Sequence, residues 1–148
     1  PRRRQRQMCI RDRVTSCFAS TIKIDLENIP NQDTVHIQLT LADGSVATIC
    51  YLCDGSKQMG KEYIEIIGDG NSYIVDDFKS AYAYKGNKKK TIYYGSQNKG
   101  YKNQIGIFID AIQNNLDSPI TDNEIFHGME VVFGIIKSIN KKKLVEFN

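Results

Sequence analysis

The sequence predicts an α+β protein in which an open, mostly antiparallel sheet of about six strands carries two C-terminal helices packed on one face. Three observations favour this fold class. Residues 34–41 alternate between apolar and polar side chains, which is the period of a half-buried strand. Short runs of this kind, separated by turn residues, continue to residue 94. From residue 100 onward the apolar spacing changes to that of a helix.

The strands follow one another as hairpins. "TVHIQLTL" is followed by Asp43-Gly44, a two-residue hairpin signal, and then by "SVATICYL", which is apolar on both faces. We therefore expect this second strand to be central in the sheet and covered on both sides. "KEYIEIIG" and "SYIV" are joined by the tight turn "GDGN", and "AYAY" pairs with "TIYY" across "KGNKK".

Two helices complete the chain. "GYKNQIGIFIDAIQNNL" has one apolar face, and Pro119 ends it. Thr121 and Glu124 form a capping box, which predicts the start of a second helix that runs to Asn140. Its apolar residues exceed one face, which predicts contact with a neighbouring domain or subunit. One face holds Ile125, Met129, Val132, Phe133, Ile136 and Ile139, and Val131 and Ile135 lie outside it.

Charge separates the first 13 residues from the rest. Residues 1–13 hold all six arginines and one acid, net +5, whereas residues 14–148 hold 14 lysines and 16 acids, net −2. The basic string resembles a translated sequencing adapter, and we interpret it as a non-native segment; a nucleic-acid-binding arm is the alternative. Deleting residues 1–13 is expected to leave the melting temperature unchanged, and a large drop measured by calorimetry would contradict this interpretation.

Residues 14–148 then form one domain of ordinary size. The longest apolar runs fall short of a membrane helix and no signal peptide is visible, so no membrane partner is expected. The net charge of −2 over residues 14–148 argues against a nucleic-acid partner, and free thiols suit a reducing cytoplasm. Cys50 and Cys53 have C-x-x-C spacing but lie in a β-branched run without a second ligand pair. We predict two buried free thiols, with a metal or redox site as the alternative.

Other motifs favour structural roles. "GDGNSY" fails as a dinucleotide fingerprint because a strand follows it rather than a helix. Asp76-Asp77 ends a strand and predicts a turn or cap. His36 and His127 have no ligand-spaced companion, so no metal site is predicted. For the tyrosines of one hairpin, cross-strand aromatic packing is the first interpretation, followed by a subunit interface and a base-stacking surface. They are Tyr82, Tyr84, Tyr93 and Tyr94.

The order of the motifs resembles a known family. "TVHIQLTLADGSVATICYLCDGS", "KEYIEIIGDGNSYIVDDF", "GSQNKGY", "FIDAI" and "PIT" before the last helix are similar to the C-terminal domain of the Gfo/Idh/MocA family (glucose-fructose oxidoreductase / inositol dehydrogenase), in its bi-domain oxidoreductase-like branch. The resemblance covers roughly residues 30–147.

The resemblance implies an enzyme whose N-terminal Rossmann domain binds NAD or NADP and which acts on a hydroxyl of a sugar, nucleotide-sugar or cyclitol. This chain is then an N-terminally truncated fragment, inactive alone, that supplies a wall of the substrate pocket and forms a homo-oligomer through its sheet face. The family's catalytic E-K-P motif does not occur here, so no catalytic or cofactor-binding residue is assigned. A non-catalytic binding or assembly module is the alternative.

Five residues are candidate substrate contacts. Lys61 and Glu62 resemble the branch's P-K-E segment, with Gly60 in place of the proline, and Lys61 has a strand-edge salt bridge as its alternative role. Lys99 resembles the lysine of a D-K-G-H segment in which Tyr101 replaces the histidine. His127, near the start of the last helix, is the fifth candidate, with an ordinary surface or hydrogen-bonded helix residue as the alternative.

Overall fold

The computed structural model describes residues 13–21, 34–53 and 55–147. The fold class is α+β, as predicted, but the described residues form eight strands in two antiparallel sheets of four instead of one sheet of about six. The strands are β1 (Val14–Thr21), β2 (Val35–Leu41), β3 (Val46–Tyr51), β4 (Tyr63–Gly68), β5 (Asn71–Asp76), β6 (Ser80–Lys85), β7 (Lys88–Tyr94) and β8 (Val145–Glu146), and the helices are α1 (Tyr101–Gln113) and α2 (Asp122–Lys141). Residues 1–12, most of the basic segment, and Cys9 within it, lie outside the described residues.

The chain forms two compact units. The first comprises Pro1–Asp54 and Ile120–Asn148, and the second comprises Gly55–Pro119. In the first unit the strand order is β3-β2-β1-β8, and α2 packs on β1. Strand β1 was not among the predicted elements, yet it carries the most buried side chains of this unit's sheet: Cys17 is 1% exposed and Ala19 is 2% exposed.

Helix α2 begins at the predicted capping box but packs through a different face from the predicted one. Its buried residues are Val131, Gly134 and Ser138. The short side chains let the helix come close to the sheet, where the Ser138 hydroxyl accepts a hydrogen bond from the Ala19 N–H at 2.9 Å and donates one to the Lys143 carbonyl at 2.7 Å. The predicted apolar face is instead exposed by about half: Ile125, Met129, Val132, Phe133 and Ile136 are 48% to 63% exposed.

Strand β3 corrects two further expectations. It pairs with β2 on one side only and forms an edge of its sheet, because β1 occupies the other side of β2. Its apolar side chains are consequently uncovered, with Val46 and Tyr51 both 60% exposed. Cys50 and Cys53 are free thiols as predicted, but they are exposed and not buried.

The second unit contains a meander of strands in the order β4-β5-β6-β7. The predicted turn between β4 and β5 is confirmed, with Asp69 and Gly70 at φ 50° and 71°. In the tyrosine hairpin Tyr82 lies opposite Thr91, and Tyr93 lies opposite Ala81, so these tyrosines do not face aromatic partners across the ladder. The Lys89 ammonium lies 4.0 Å from the centre of the Tyr82 ring instead, a cation–π contact in place of aromatic packing.

Helix α1 confirms the predicted change of period but buries little. It begins after Gly100, whose φ is 77°, and among its residues only Ala111 is buried. Ile105, Phe108 and Ile112 are 53% to 62% exposed. The second unit therefore exposes the apolar face of a whole helix.

Candidate functional site

The turn between β5 and β6 has an unusual backbone. The Lys79 N–H donates to the Asp76 carbonyl at 2.9 Å and closes the turn. Its central residues, Asp77 and Phe78, both have positive φ, 45° and 52°. Such a conformation costs an L-residue roughly 1–2 kcal/mol, and it persists where surrounding contacts determine it.

The Asp77 carboxylate makes the contacts that stabilise this backbone conformation. The residue is only 7% exposed. The Lys79 ammonium lies 2.6 Å from Oδ2, while the Lys61 N–H and the Gln97 side-chain amide donate to Oδ1 at 3.1 and 3.0 Å. The hydrogen bond from Lys79, followed by that from the Lys61 backbone, holds the pKa of Asp77 at about 2, below its ordinary 3.8. The predicted turn role of the Asp76-Asp77 pair is thus confirmed.

Glu62 and Lys99 form a second charged pair beside this turn. The Lys99 ammonium binds Glu62 Oε1, and this hydrogen bond raises the pKa of Lys99 above its ordinary value. The ammonium also lies 5.9 Å from the centre of the Phe78 ring. The other carboxylate oxygen, Glu62 Oε2, is buried and has no hydrogen-bond partner among the described residues. A buried acceptor without a donor is uncommon and calls for a physical explanation.

Four of the five candidate residues from the sequence belong to this region. Lys61, Glu62 and Lys99 lie on the two loop segments that meet at the Asp77 turn, and Tyr101, 65% exposed, begins α1 two residues after Lys99. The ammonium of Lys61 makes no salt bridge within the described part of the chain. A shallow hollow of about 230 Å³ lies on the neighbouring sheet surface, lined by Val75, Phe78, Ser80, Ala81, Tyr93 and Asn98.

Sequence reasoning did not identify Asp77 as the centre of the cluster, and it did not identify Gln97 at all. The available signal was a pair of acids directly after a strand, which predicts a turn but not the partners of the carboxylate. Those partners come from segments 16 and 20 residues away. No local pattern encodes that meeting.

His127 belongs to the other unit. It lines a cleft of about 670 Å³ between the first half of α2 and the start of β1. Its Nδ1 lies 3.1 Å from the Glu130 carboxylate, and its ring meets that of Phe147 edge-on with centroids 6.0 Å apart. A carboxylate only accepts, so we assign the proton to Nδ1. In the neutral ring Nε2 is then an acceptor, and it is buried without a partner among the described residues.

The described residues contain no group of three or more histidine, cysteine or acidic side chains placed to hold a metal ion. Within the same residues, neither helix combines the length and the apolar character that crossing a membrane requires.

Comparison with known proteins establishes the fold. No protein-family model matches the sequence, and no curated protein matches it. Among solved structures, an NAD binding oxidoreductase from Klebsiella pneumoniae superposes with a TM-score of 0.74 at 15% identity, covering 90% of this chain and 45% of that protein.

Two further structures show the same similarity. The aldose-aldose oxidoreductase from Caulobacter crescentus, crystallised with glycerol, gives a TM-score of 0.69 at 14% identity, covering 92% of this chain and 42% of that protein. A UDP-N-acetylglucosamine 3-dehydrogenase from Acidithiobacillus ferrooxidans gives 0.69 at 11% identity, covering 86% of this chain and 41% of that protein. Identities this low establish the fold alone. This chain therefore spans less than half the length of the oxidoreductases whose fold it shares, and the resemblance predicted from the sequence is confirmed at the level of the fold.

Proposed function

We propose that this chain, which has the fold of the C-terminal domain of the Gfo/Idh/MocA oxidoreductases, is part of an NAD(P)-dependent enzyme that oxidises or reduces a hydroxyl of a sugar, nucleotide-sugar or cyclitol. In this proposal it supplies one wall of the substrate pocket and a subunit interface. A Rossmann domain outside these residues binds NAD or NADP, and the enzyme works in the cytoplasm. The observation that carries the proposal is the shared fold, together with the charged cluster that the fold places around Asp77.

The substrate class is supported by the proteins that share the fold. One of them is named as an aldose-aldose oxidoreductase and another as a dehydrogenase of UDP-N-acetylglucosamine. Both names describe chemistry at a carbohydrate, and a third protein is named for binding NAD. We carry that chemistry over to this chain as part of the proposal.

The role of the cluster is to bind and orient the substrate. A sugar hydroxyl both donates and accepts hydrogen bonds, so it suits a site that offers an ammonium and a carboxylate side by side. Lys99 and Lys61 supply donors, and the partly exposed carboxylate of Glu62 supplies an acceptor. Tyr101 borders the same loop.

His127 is proposed as a further ligand contact in its own cleft. Glu130 fixes the tautomer, and Nε2 offers an acceptor to a hydroxyl. The bound nicotinamide accepts or gives the hydride in such an enzyme, and the residues of this chain hold and orient the substrate only.

The resemblance implies a subunit interface on the sheet face, and the first unit offers a second apolar surface on α2. The exposed stripe of α2, formed by Ile125, Met129, Val132, Phe133 and Ile136, is half uncovered. Soluble monomers seldom expose a contiguous apolar patch of this kind. The alternative, a free-standing binding or assembly module, predicts a stable monomer, and gel filtration separates the two.

The proposal is tested in two steps. The purified chain, mixed with NAD or NADP and a panel of sugars, nucleotide-sugars and cyclitols, is expected to show no turnover at 340 nm and no tight cofactor binding. The coding sequence upstream of residue 14 in the source DNA is expected to contain a G-x-G-x-x-G strand-to-helix turn, and the complete protein is expected to turn over one of these substrates. Turnover by the chain alone, or an upstream region without a nucleotide-binding domain, would overturn the proposal.

A further inference from the structure

We propose that Asp77 is the positioning residue of the substrate wall, because it holds the loop that carries Lys61 and Glu62 in fixed register with the loop that carries Lys99. The role in substrate binding rests on the proposed function. The positions of the two loops relative to Asp77 can be tested without measuring any activity.

The first loop is tied to Asp77 in both directions. The Asp77 N–H donates to the Glu62 carbonyl at 2.7 Å, and the Lys61 N–H donates back to Asp77 Oδ1 at 3.1 Å. Both loop residues precede β4 and lie outside the strand ladder. Two hydrogen bonds, one to the backbone and one to the side chain of Asp77, therefore fix the positions of Lys61 and Glu62.

The second loop is tied to the same turn. The Gln97 side-chain amide donates to both Asp77 Oδ1 and the Asp77 carbonyl, at 3.0 and 3.1 Å. The Asn98 N–H donates to the Phe78 carbonyl at 3.0 Å. Lys99 is the next residue, so its position relative to Glu62 follows from contacts made by the turn.

The first loop packs closely against the Asp77 turn. A Cβ placed on Gly60 would lie 3.0 Å from the Asp77 Cβ. A residue with a Cβ at position 60 would therefore be crowded against Asp77. Lys79 pairs with Asp77 Oδ2, which leaves Lys99 to pair with Glu62. The left-handed conformation of Asp77 and Phe78 turns one carboxylate toward both loops, and the contacts described here account for that strained backbone.

The test follows the Lys99–Glu62 pair in the full 148-residue chain. The titration of the Lys99 ammonium is measured by heteronuclear NMR in the native chain and in Asp77→Ala, with amide spectra of β5 and β6 reporting that the sheet is folded. In the native chain the pKa of Lys99 lies above its ordinary value, first because of the hydrogen bond to Glu62 and to a smaller extent because of the charge of Asp77. Asp77→Asn removes that charge as Asp77→Ala does but keeps the acceptor oxygen, so the difference between the two variants reports the positioning. We expect Asp77→Ala to lose most of that elevation. We expect Asp77→Asn, which keeps an oxygen acceptor for Lys61 and Gln97, to retain most of it.

The matched control is Asp69→Ala. Asp69 is also an aspartate with positive φ, 50° against 45° for Asp77, in a hairpin turn of the same sheet. Its substitution carries the same backbone cost without touching either loop, so the Lys99 titration is expected to stay unchanged. If Asp77→Ala fails to fold, Gln97→Ala removes one tie only, and it too is expected to lower the pKa of Lys99. A folded Asp77→Ala or Gln97→Ala chain with the native Lys99 titration would overturn the proposal.

In the complete enzyme the same substitution is expected to affect carbohydrate binding but not cofactor binding. Asp77→Ala is expected to raise KM for the carbohydrate several-fold and to leave KM for NAD(P) unchanged. If the NMR result holds while no carbohydrate is turned over, the proposed function is wrong and the positioning geometry stands. If the enzyme turns over carbohydrate but KM does not move, the positioning role is wrong.

Discussion

Gly134 and Gly128 lie on the same helix, but only Gly134 faces the packed side of the first unit. A Cβ on Gly134 would lie 2.5 Å from Phe147 Cε1 and 3.4 Å from Cys17 Sγ, whereas a Cβ on Gly128 would meet nothing within 4 Å. We expect Gly134→Ala to lower the free energy of unfolding by about 1–3 kcal/mol through overpacking. Gly128→Ala is expected to raise it by up to about 1 kcal/mol through helix propensity. Urea unfolding of both variants checks this, and changes of the same sign would contradict it.

Asp77 also determines how the second unit responds to acid. Its pKa is about 2 in the folded chain and 3.8 as an ordinary carboxyl, so folding favours the ionised form. The stability it contributes is therefore fully present above pH 3.8 and is lost as the pH falls toward 2. We expect the difference in unfolding free energy between native and Asp77→Asn chains to be constant near neutral pH and to shrink over that acid range. Chemical unfolding at a series of pH values measures it; a difference that grows on acidification would contradict the assignment.

The start of α2 depends on a reciprocal cap that was visible in the sequence. The Thr121 hydroxyl accepts from the Glu124 N–H at 3.3 Å, and the Glu124 carboxylate accepts from the Thr121 N–H at 2.7 Å. Thr121→Ala is expected to lower the free energy of unfolding by about 1 kcal/mol, because the Glu124 N–H loses its side-chain acceptor and the Glu124 carboxylate loses the Thr121 hydroxyl as a donor. Thr121→Ser keeps the hydroxyl and is expected to stay near the native value. Thermal unfolding of the pair checks the effect, and equal losses in both would assign it to the methyl group instead.

Local patterns predicted those elements whose signals are themselves local. Period-two alternation and turn dipeptides located β2 to β7, and the change to helical period together with the capping box located α1 and α2. Strand β1 was not predicted because it contains small residues such as Ser16, Cys17 and Ala19, which give a weak apolar pattern. Strand β8 has two residues and carries no periodic signal at all.

Which surface of an element becomes buried is decided by its partners, and this is where sequence reasoning failed. For α2 the widest apolar stripe was expected to pack, yet Gly134 and Ser138 are buried instead, because short side chains permit close approach and Ser138 satisfies a strand N–H. For β3 the two-faced apolar pattern suggested a central strand, but its place depends on β1. The same holds for the candidate site. The family resemblance identified Lys61, Glu62 and Lys99, but the contacts of Asp77 with both loops depend on segments that are distant in the sequence.

As a whole, the chain leaves apolar surface uncovered in each of its two units. In the first unit this surface is the α2 stripe, and in the second it includes Ile105, Phe108 and Ile112 of α1. An apolar side chain contributes about 25 cal/mol for each Å² removed from water, so surfaces of this kind favour association with a partner. A further domain of the proposed enzyme, a second copy of this chain, or both would cover them.

The α2 stripe makes this testable in the chain by itself. We expect the native chain to form dimers or aggregates at micromolar concentration, and the double substitution Met129→Glu with Phe133→Glu to weaken that association. Because Met129 and Phe133 are 49% and 63% exposed, the charges reach water and the melting temperature should change little. Val131→Glu is the control for a buried position on the same helix; at 8% exposure it is expected to destabilise the fold itself. Gel filtration with light scattering over a concentration series provides the measurement. A native chain that stays monomeric throughout would contradict the proposed subunit interface and would favour the free-standing module.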